Sequence, residues 1–294
     1  MLRMTDTPPP SQVITSRLFG GAGNQLFQYA AGRALADRLG CDLMIDARYV
    51  AGSRDRGDCF THFAKARLRR DVALPPAKSD GPLRYALWRK FGRSPRFHRE
   101  RGLGVDPEFF NLPRGTYLHG YWQSEQYFGP DTDALRRDLT LTTALDAPNA
   151  AMAAQIDAAP CPVSFHVRRG DYIAAGAYAA CTPDYYRAAA DHLATTLGKP
   201  LTCFIFSNDP AWARDNLDLG QDQVIVDLND EATGHFDMAL MARCAHHVIA
   251  NSTFSWWGAW LNPDPDKLVV APRNWFATQA LHNPDLIPEQ WHRL

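Results

Sequence analysis

Residues Cys161–Tyr172 read CPVSFHVRRGDY, and the fold class turns on this stretch. Val163–Val167 is the short apolar run of a fully buried strand, and Gly170 breaks it. The run ends in charge, with His166, Arg168, Arg169 and Asp171 packed together. In open α/β sheets, ligands bind in the crevice beyond the carboxyl ends of the strands. Arginine presents a planar fork of donors that suits a phosphate or pyrophosphate. A plainer reading pairs Arg168 and Arg169 with nearby carboxylates such as Asp171, since structural ion pairs are common.

Toward the C-terminus the α/β alternation continues. A helix from about Pro183 to Leu197 leads to a strand, Thr202–Phe206, that ends in Ser207, Asn208 and Asp209. A helix around Trp212 precedes the strand Val224–Val226. A helix from Phe236 to Ala245 precedes the strand His247–Ala250. That strand runs into Asn251, Ser252, Thr253, Phe254 and Ser255, with a helix opening at Trp256 and a last strand at Lys267–Ala271. Strands that each end in a polar cluster describe a parallel sheet with one ligand edge. Ser252, Thr253 and Ser255 either receive a phosphate at the helix start or cap the helix. Asn208 and Asp209 either accept from a ribose or base edge or form a turn. Asp237, read in isolation, caps the helix that it begins.

Toward the N-terminus, a strand at Val13–Phe19 meets GGAGNQLFQYAAGRALADRLG, Gly20–Gly40. This is a glycine turn entering a helix, with Leu26, Ala30 and Ala34 on one face and Gly40 as its stop. The strand Cys41–Ile45 follows and ends at Asp46. Such a unit raises a nicotinamide dinucleotide as a rival ligand, with Asp46 placed for a ribose. The match is weak, because Leu26 stands where the fingerprint needs its third glycine. From Arg54 to Arg101 there are fourteen Lys or Arg against five Asp or Glu. Within that stretch Leu83, Leu87 and Phe91 recur at helical spacing among Arg84, Arg89 and Lys90. This is a basic amphipathic helix, suited to an anionic membrane surface or simply to a solvated face. Tyr117–Tyr121 reads as a strand entering WQSEQYF, and Asp131–Leu139 as a capped helix.

Composition sets the outer bounds. The 294 residues, 46% hydrophobic, predict two domains or one large one. We expect a disordered tail at 1–12, an N-terminal α/β domain at 13–155 and a C-terminal one at 156–294. A net charge of −1 argues against nucleic acid as a partner of the whole chain. The six cysteines include no C-x-x-C pair, which predicts reduced, buried thiols and a cytoplasmic protein. No apolar run is long enough to span a membrane. Two D-x-D spacings, at Asp131 with Asp133 and Asp264 with Asp266, sit at a helix start and in a turn. Both are ordinary settings, so no metal is expected.

In order, GGAGNQLFQYAAGRALA, GYWQSEQYF, HVRRGDY, FSND and IANSTFSWWGAWLN resemble the α-1,2-fucosyltransferases of glycosyltransferase family 11. The resemblance runs from about residue 13 to Phe276. It implies a GT-B-like fold of two facing Rossmann-like domains with parallel sheets, and no cofactor. It implies inverting transfer of L-fucose from GDP-β-L-fucose to the 2-hydroxyl of a terminal galactose, in a glycan of which a lipid-linked form is one option. By that resemblance Arg168 and Arg169 hold the donor pyrophosphate and Asn24 lies near the reacting atoms. With the reading of the residues beside it, Arg168, Asn24 and Asp171, the first candidate for the general base, are the expected catalytic residues. His166, Arg169, Asn208, Asp209, Asp237, Ser252, Thr253, Phe254, Ser255, Gly21 and Gly23 are expected to bind the donor. Phe236 stands where the family usually has tyrosine, and residues 51–115 match it poorly. A non-catalytic sugar-nucleotide or glycan-binding protein on the same fold is the alternative.

Overall fold

The computed structural model describes residues 10–50, 59–63, 81–92, 95–129, 132–169, 181–278 and 281–294. The chain packs into two units: Met1–Thr61 with Lys65–Leu139, and His62–Ala64 with Thr140–Leu294. The expected boundary at 155–156 falls inside a helix of the second unit.

The first unit holds a parallel sheet of β1 (Ile14–Arg17), β2 (Leu43–Asp46), β3 (Arg96–Arg99) and β4 (Thr116–His119), in the order β2-β1-β4-β3. Helix α1 (Ala22–Leu39) links β1 to β2 and lies on the sheet at Gly32. A methyl group there would stand 2.9 Å from Leu43 and 3.0 Å from Ser16. Gly40, at φ 60°, closes the helix by donating to the carbonyls of Ala36 and Asp37. Strand side chains alternate, so Thr15, Tyr117 and Phe97, which share a register, face away from α1. Helix α2 (Pro82–Phe91) covers that face through Trp88, whose ring meets Tyr117 and Phe97 edge-on. The short α3 (Thr132–Asp138) ends at Asp138, which accepts from Arg33 and Tyr29 of α1.

The second unit holds β5 (Pro162–Val167), β6 (Thr202–Ser207), β7 (Asp222–Val226), β8 (His246–Val248), β9 (Val269–Ala271) and β10 (His292–Arg293). All pairings are parallel, in the order β10-β9-β8-β5-β6-β7. Its helices among the described residues are α4 (Ala147–Ala158), α5 (Pro183–Leu197), α6 (Pro210–Asn216), α7 (Gly234–Arg243) and α8 (Thr253–Leu261). Val163, Phe165 and Val167 face Tyr186, Ala189 and Leu193 of α5. On the other face, Phe204 and Phe206 meet Ile156 of α4 with Leu240 and Met241 of α7. His247 is fully buried there. Its Nδ1 lies 2.8 Å from Ser164 Oγ and its Nε2 3.0 Å from Asn262 Nδ2. Because the amide can only donate, Nε2 accepts and Nδ1–H donates to the serine.

Several details differ from the sequence reading. Helix α8 begins at Thr253, not Trp256, so the hydroxyl-rich run is its first turn. Strand β3 was not expected: R-F-H-R lacks a strand's apolar pattern because it is an edge strand with exposed arginines. Asp46 is no ribose ligand. It is buried, paired by both oxygens with Arg48 at 2.8 Å, and it accepts from Tyr117 at 2.5 Å. All six cysteines are free thiols.

In the second sheet the chain order reverses once, and in the first it reverses twice. From β5 it runs outward through β6 to β7 and returns on the far side at β8. From β1 it passes to β2 on one side, crosses to β3 at the far edge and returns to β4 beside β1. The crevices beyond β5 and β8, and beyond β1 and β4, are where such sheets bind ligands.

Candidate functional site

At the β5–β8 switch point, strand alternation puts His166 and Arg168 on the side of α7 and α8. His166 is buried, its Nδ1 has no partner among the described residues, and its ring lies 5.7 Å from that of Phe254. Burial, helped by Arg168, pulls its pKa down to about 3, so the imidazole is neutral at physiological pH. Arg169 turns the other way. Its guanidinium stacks 3.8 Å from the ring centre of Trp212 and its Nε lies 3.5 Å from Asp209. Its backbone N–H donates to Asn208, whose side-chain amide donates back to its carbonyl, at 2.9 and 3.2 Å. Asp209 also caps α6 by accepting from Trp212 N–H. The two arginines therefore do not form one fork. The ion-pair reading describes Arg169, with Asp209 as its partner; Asp171 and Gly170 lie outside the described residues.

Across the crevice, Ser252 is the N-cap residue of α8, and its side chain makes no capping bond. The hydroxyl of Ser255, buried, is within bonding distance of the carbonyls of Ser252 (3.1 Å) and Ala250 (3.4 Å). That hydroxyl is spent inside the turn. What the turn offers is the backbone N–H groups of Thr253, Phe254 and Ser255 with the positive end of the helix dipole. Asn251 is also structural, donating to the carbonyl of Trp275.

Asp237 sits in the first turn of α7 and is not its cap, which is Thr233. It accepts from Asn229 at 2.6 Å, and Asn229 exchanges side-chain hydrogen bonds with Asn149, itself held by Asp146. Burial raises the Asp237 pKa to about 6 against the opposing bond from Asn229. The sequence reading missed Asn229 and Asn149. The only signal was an asparagine soon after a strand end, which is equally the mark of a turn.

The β1–β4 switch point is of another kind. Gly20, at φ 80°, holds a backbone conformation that side-chain-bearing residues rarely adopt, and a methyl group there would also stand 2.8 Å from Asn24 Nδ2. Gly21 is the N-cap of α1 with open space around it, and Gly23 and Asn24 lie in the first turn. Asn24 Oδ1 accepts from Gln123 at 2.8 Å. Gln123 is fixed by its neighbour Trp122, a buried residue at φ 56° whose N–H donates to Glu100. A bulky side chain in the left-handed region is strained; the packing of Trp122 on Phe109 and Tyr127 holds it. Burial raises the Glu100 pKa to about 7, even against bonds from Trp122, Tyr121 and Tyr127. Phe19 packs on His119 and Tyr121, with centroids 5.3 and 4.9 Å away. Burial, then Arg17, Arg99 and Arg89, lowers the His119 pKa to about 4. Tyr121 is 40% exposed and leaves an aromatic surface open at this edge.

Of the D-x-D spacings, Asp133 pairs with Arg136 and Asp264 closes a turn on Asp266 N–H; Asp131 is outside the described residues. Among the described residues, no group of three or more His, Cys, Asp or Glu could hold a metal ion, and no helix is long and apolar enough to cross a membrane.

Comparison with known proteins gives the family and the fold. An α-1,2-colitosyltransferase of Escherichia coli is 30% identical, covering 96% of this chain and 99% of its own. The O-antigen biosynthesis glycosyltransferase WbnK of Escherichia coli is 27% identical, covering 89% and 94%. Galactoside α-(1,2)-fucosyltransferase 1 of Pan troglodytes is 28% identical, over 82% of this chain and 63% of its own. Among solved structures, a mutant of FUT1 of Arabidopsis thaliana in complex with GDP superposes with a TM-score of 0.56. It is 12% identical and covers 90% of this chain and 71% of that one. At that identity the likeness speaks to the fold, which is GT-B-like. The model of the family described as Glycosyl transferase family 11 matches residues 99–294. The chain belongs to glycosyl transferase family 11.

Proposed function

We propose that this glycosyltransferase moves L-fucose from GDP-β-L-fucose to the 2-hydroxyl of a terminal galactose, with inversion. One observation carries this reading. Arg168, the neutral His166 and the N-terminus of α8 converge on the β5–β8 switch point, where a nucleotide diphosphate is best held. The α-1,2 linkage is common to the names of the colitosyl and galactoside fucosyl relatives.

Breaking the bond between sugar and GDP leaves new negative charge on the β-phosphate. A preorganised cation and helix N–H groups stabilise that charge, by about 3–4 kcal/mol for one strong donor. Arg168 takes this role, and Arg169 with Asn208 and Asp209 fixes the loop that carries it. Asp237 keeps one carboxylate oxygen for donors on the nucleotide. A neutral His166 can hydrogen-bond the nucleotide but is too weak a base for the acceptor hydroxyl; Asp171 is assigned that role. Asn24, in the first unit, orients the acceptor beside the aromatic floor of Phe19 and Tyr121. The cation and the helix dipole replace a metal, so turnover should persist in excess EDTA.

A second donor has specific support. The relative matching nearly the whole chain is named for colitose, which is fucose without its 3-hydroxyl. The test is a panel of GDP-fucose, GDP-colitose, GDP-mannose and UDP-galactose with lactose, following nucleotide release, product mass and linkage. Transfer from a GDP-6-deoxy sugar to the galactose 2-hydroxyl is expected. Nucleotide binding without any product would instead favour a binding protein.

A further inference from the structure

Helix α2 is anchored to the first unit from one side. Tyr85 is buried and its hydroxyl accepts from Arg17, and Trp88 packs on Phe97 and Tyr117 while donating to the Pro95 carbonyl. The opposite side carries Leu83, Leu87 and Phe91, which are 75%, 52% and 65% exposed. At 3.6 residues per turn these three fall within an arc of about 80°. Arg84 borders the stripe on one edge and Lys90 on the other, both exposed. A helix that serves only its own fold would turn this stripe inward. Three large apolar side chains aligned in solvent mark an interaction surface.

We propose that this face of α2 seats the protein on an anionic membrane surface, the three apolar side chains entering the headgroup boundary and the flanking cations meeting lipid phosphates. Charge selects the occupant. The helix has three cations and no acid, and it lies in the Arg54–Arg101 stretch with its fourteen Lys or Arg and five Asp or Glu. A second copy of the chain would bring the same cations face to face. A neutral apolar partner would leave Arg84 and Lys90 without counter-charge. An anionic bilayer satisfies both the stripe and its borders. The inference does not depend on which sugar is transferred.

The test is co-sedimentation of the full chain with vesicles of phosphatidylglycerol and phosphatidylethanolamine, against vesicles of phosphatidylcholine, at low and physiological salt. Binding to the anionic vesicles is expected, weakened by salt and much weaker on phosphatidylcholine. Each cation should contribute about fivefold, so Arg84→Gln with Lys90→Gln lowers vesicle affinity about 25-fold. The Leu83→Ser, Leu87→Ser, Phe91→Ser variant keeps both anchors, so its thermal melting should be unchanged and its vesicle binding lost. Three results would overturn the proposal. These are no binding to anionic vesicles at low salt, equal binding by wild type and the triple variant, and a concentration-dependent dimer that the triple variant abolishes.

Discussion

Both switch points lie between parallel strands, and they differ in chemistry. At the edge of the second unit the sequence gathers charge and backbone donors: Arg168, the start of α8, and Asp237 held by Asn229. At the edge of the first unit it gathers aromatic faces and one amide pair: Phe19, His119 and Tyr121 beside Asn24 and Gln123. The first arrangement suits a ligand that becomes more negative during reaction, the second an uncharged sugar whose C–H faces stack on rings. The edges share one device. Each keeps a histidine neutral through burial with an arginine near it, His166 at about 3 and His119 at about 4. Neither can act as a base poised near neutrality, which leaves a carboxylate as the proposed base.

The contrast can be broken most sharply at the two arginines. Arg168→Lys should lower kcat by about 10²–10³, because a point charge does not reproduce the fork at the leaving phosphate. Arg169→Lys should stay within about tenfold, since its own backbone N–H and carbonyl are held by Asn208 whatever the side chain, and what is lost is the stacking on Trp212. Equal losses would mean that the arginines act as one site after all.

The next effect is on stability. The neutral His247 joins β5, β8 and the end of α8 beneath the charged edge. His247→Ala should cost about 3 kcal/mol in urea unfolding, from a cavity and two unpaired polar groups. Burial holds its folded pKa near 3, below the unfolded value. Its contribution is therefore complete above pH 6.5 and is lost as pH falls toward 3. A flat stability profile over that range would contradict this.

Asp237 has the opposite sign. Its folded pKa, about 6, lies above the unfolded value. It favours folding at low pH, and that contribution is lost as pH rises through 6. Asp237→Asn should therefore stabilise the free protein at pH 8 by about 2–3 kcal/mol while weakening GDP binding. A variant that gains stability and keeps its GDP affinity would remove Asp237 from the donor site. The smallest effect is expected at the aromatic edge. Tyr121→Ala should raise the acceptor KM about tenfold, a loss of about 1–1.5 kcal/mol, with kcat little changed.

The charged edge was the more legible of the two. A strand ending in consecutive charges and a hydroxyl run before a tryptophan-rich helix are local patterns, and both landed at the β5–β8 edge. Sequence could not separate Arg168 from Arg169, because that depends on Trp212 and Asp209, which β6 brings over from some forty residues away. It also could not show that Ser255 spends its hydroxyl in its own turn. The aromatic edge was nearly invisible: Phe19, His119 and Tyr121 meet only once β4 is placed beside β1, and β3 carries no strand pattern at all. The spacing of α2 was readable, but not which face it would bury. Tyr85 and Trp88 settled that by packing on Arg17 and Tyr117 rather than leaving the work to the leucines.

The division of labour is tested most directly by the shift in melting temperature that GDP produces in wild type, Arg168→Ala and Tyr121→Ala. A ligand that binds only the folded state raises the melting temperature with its concentration. The account predicts a GDP-dependent rise in wild type that is retained in Tyr121→Ala and largely lost in Arg168→Ala. A full shift in Arg168→Ala, or its loss in Tyr121→Ala with folding intact, would contradict it.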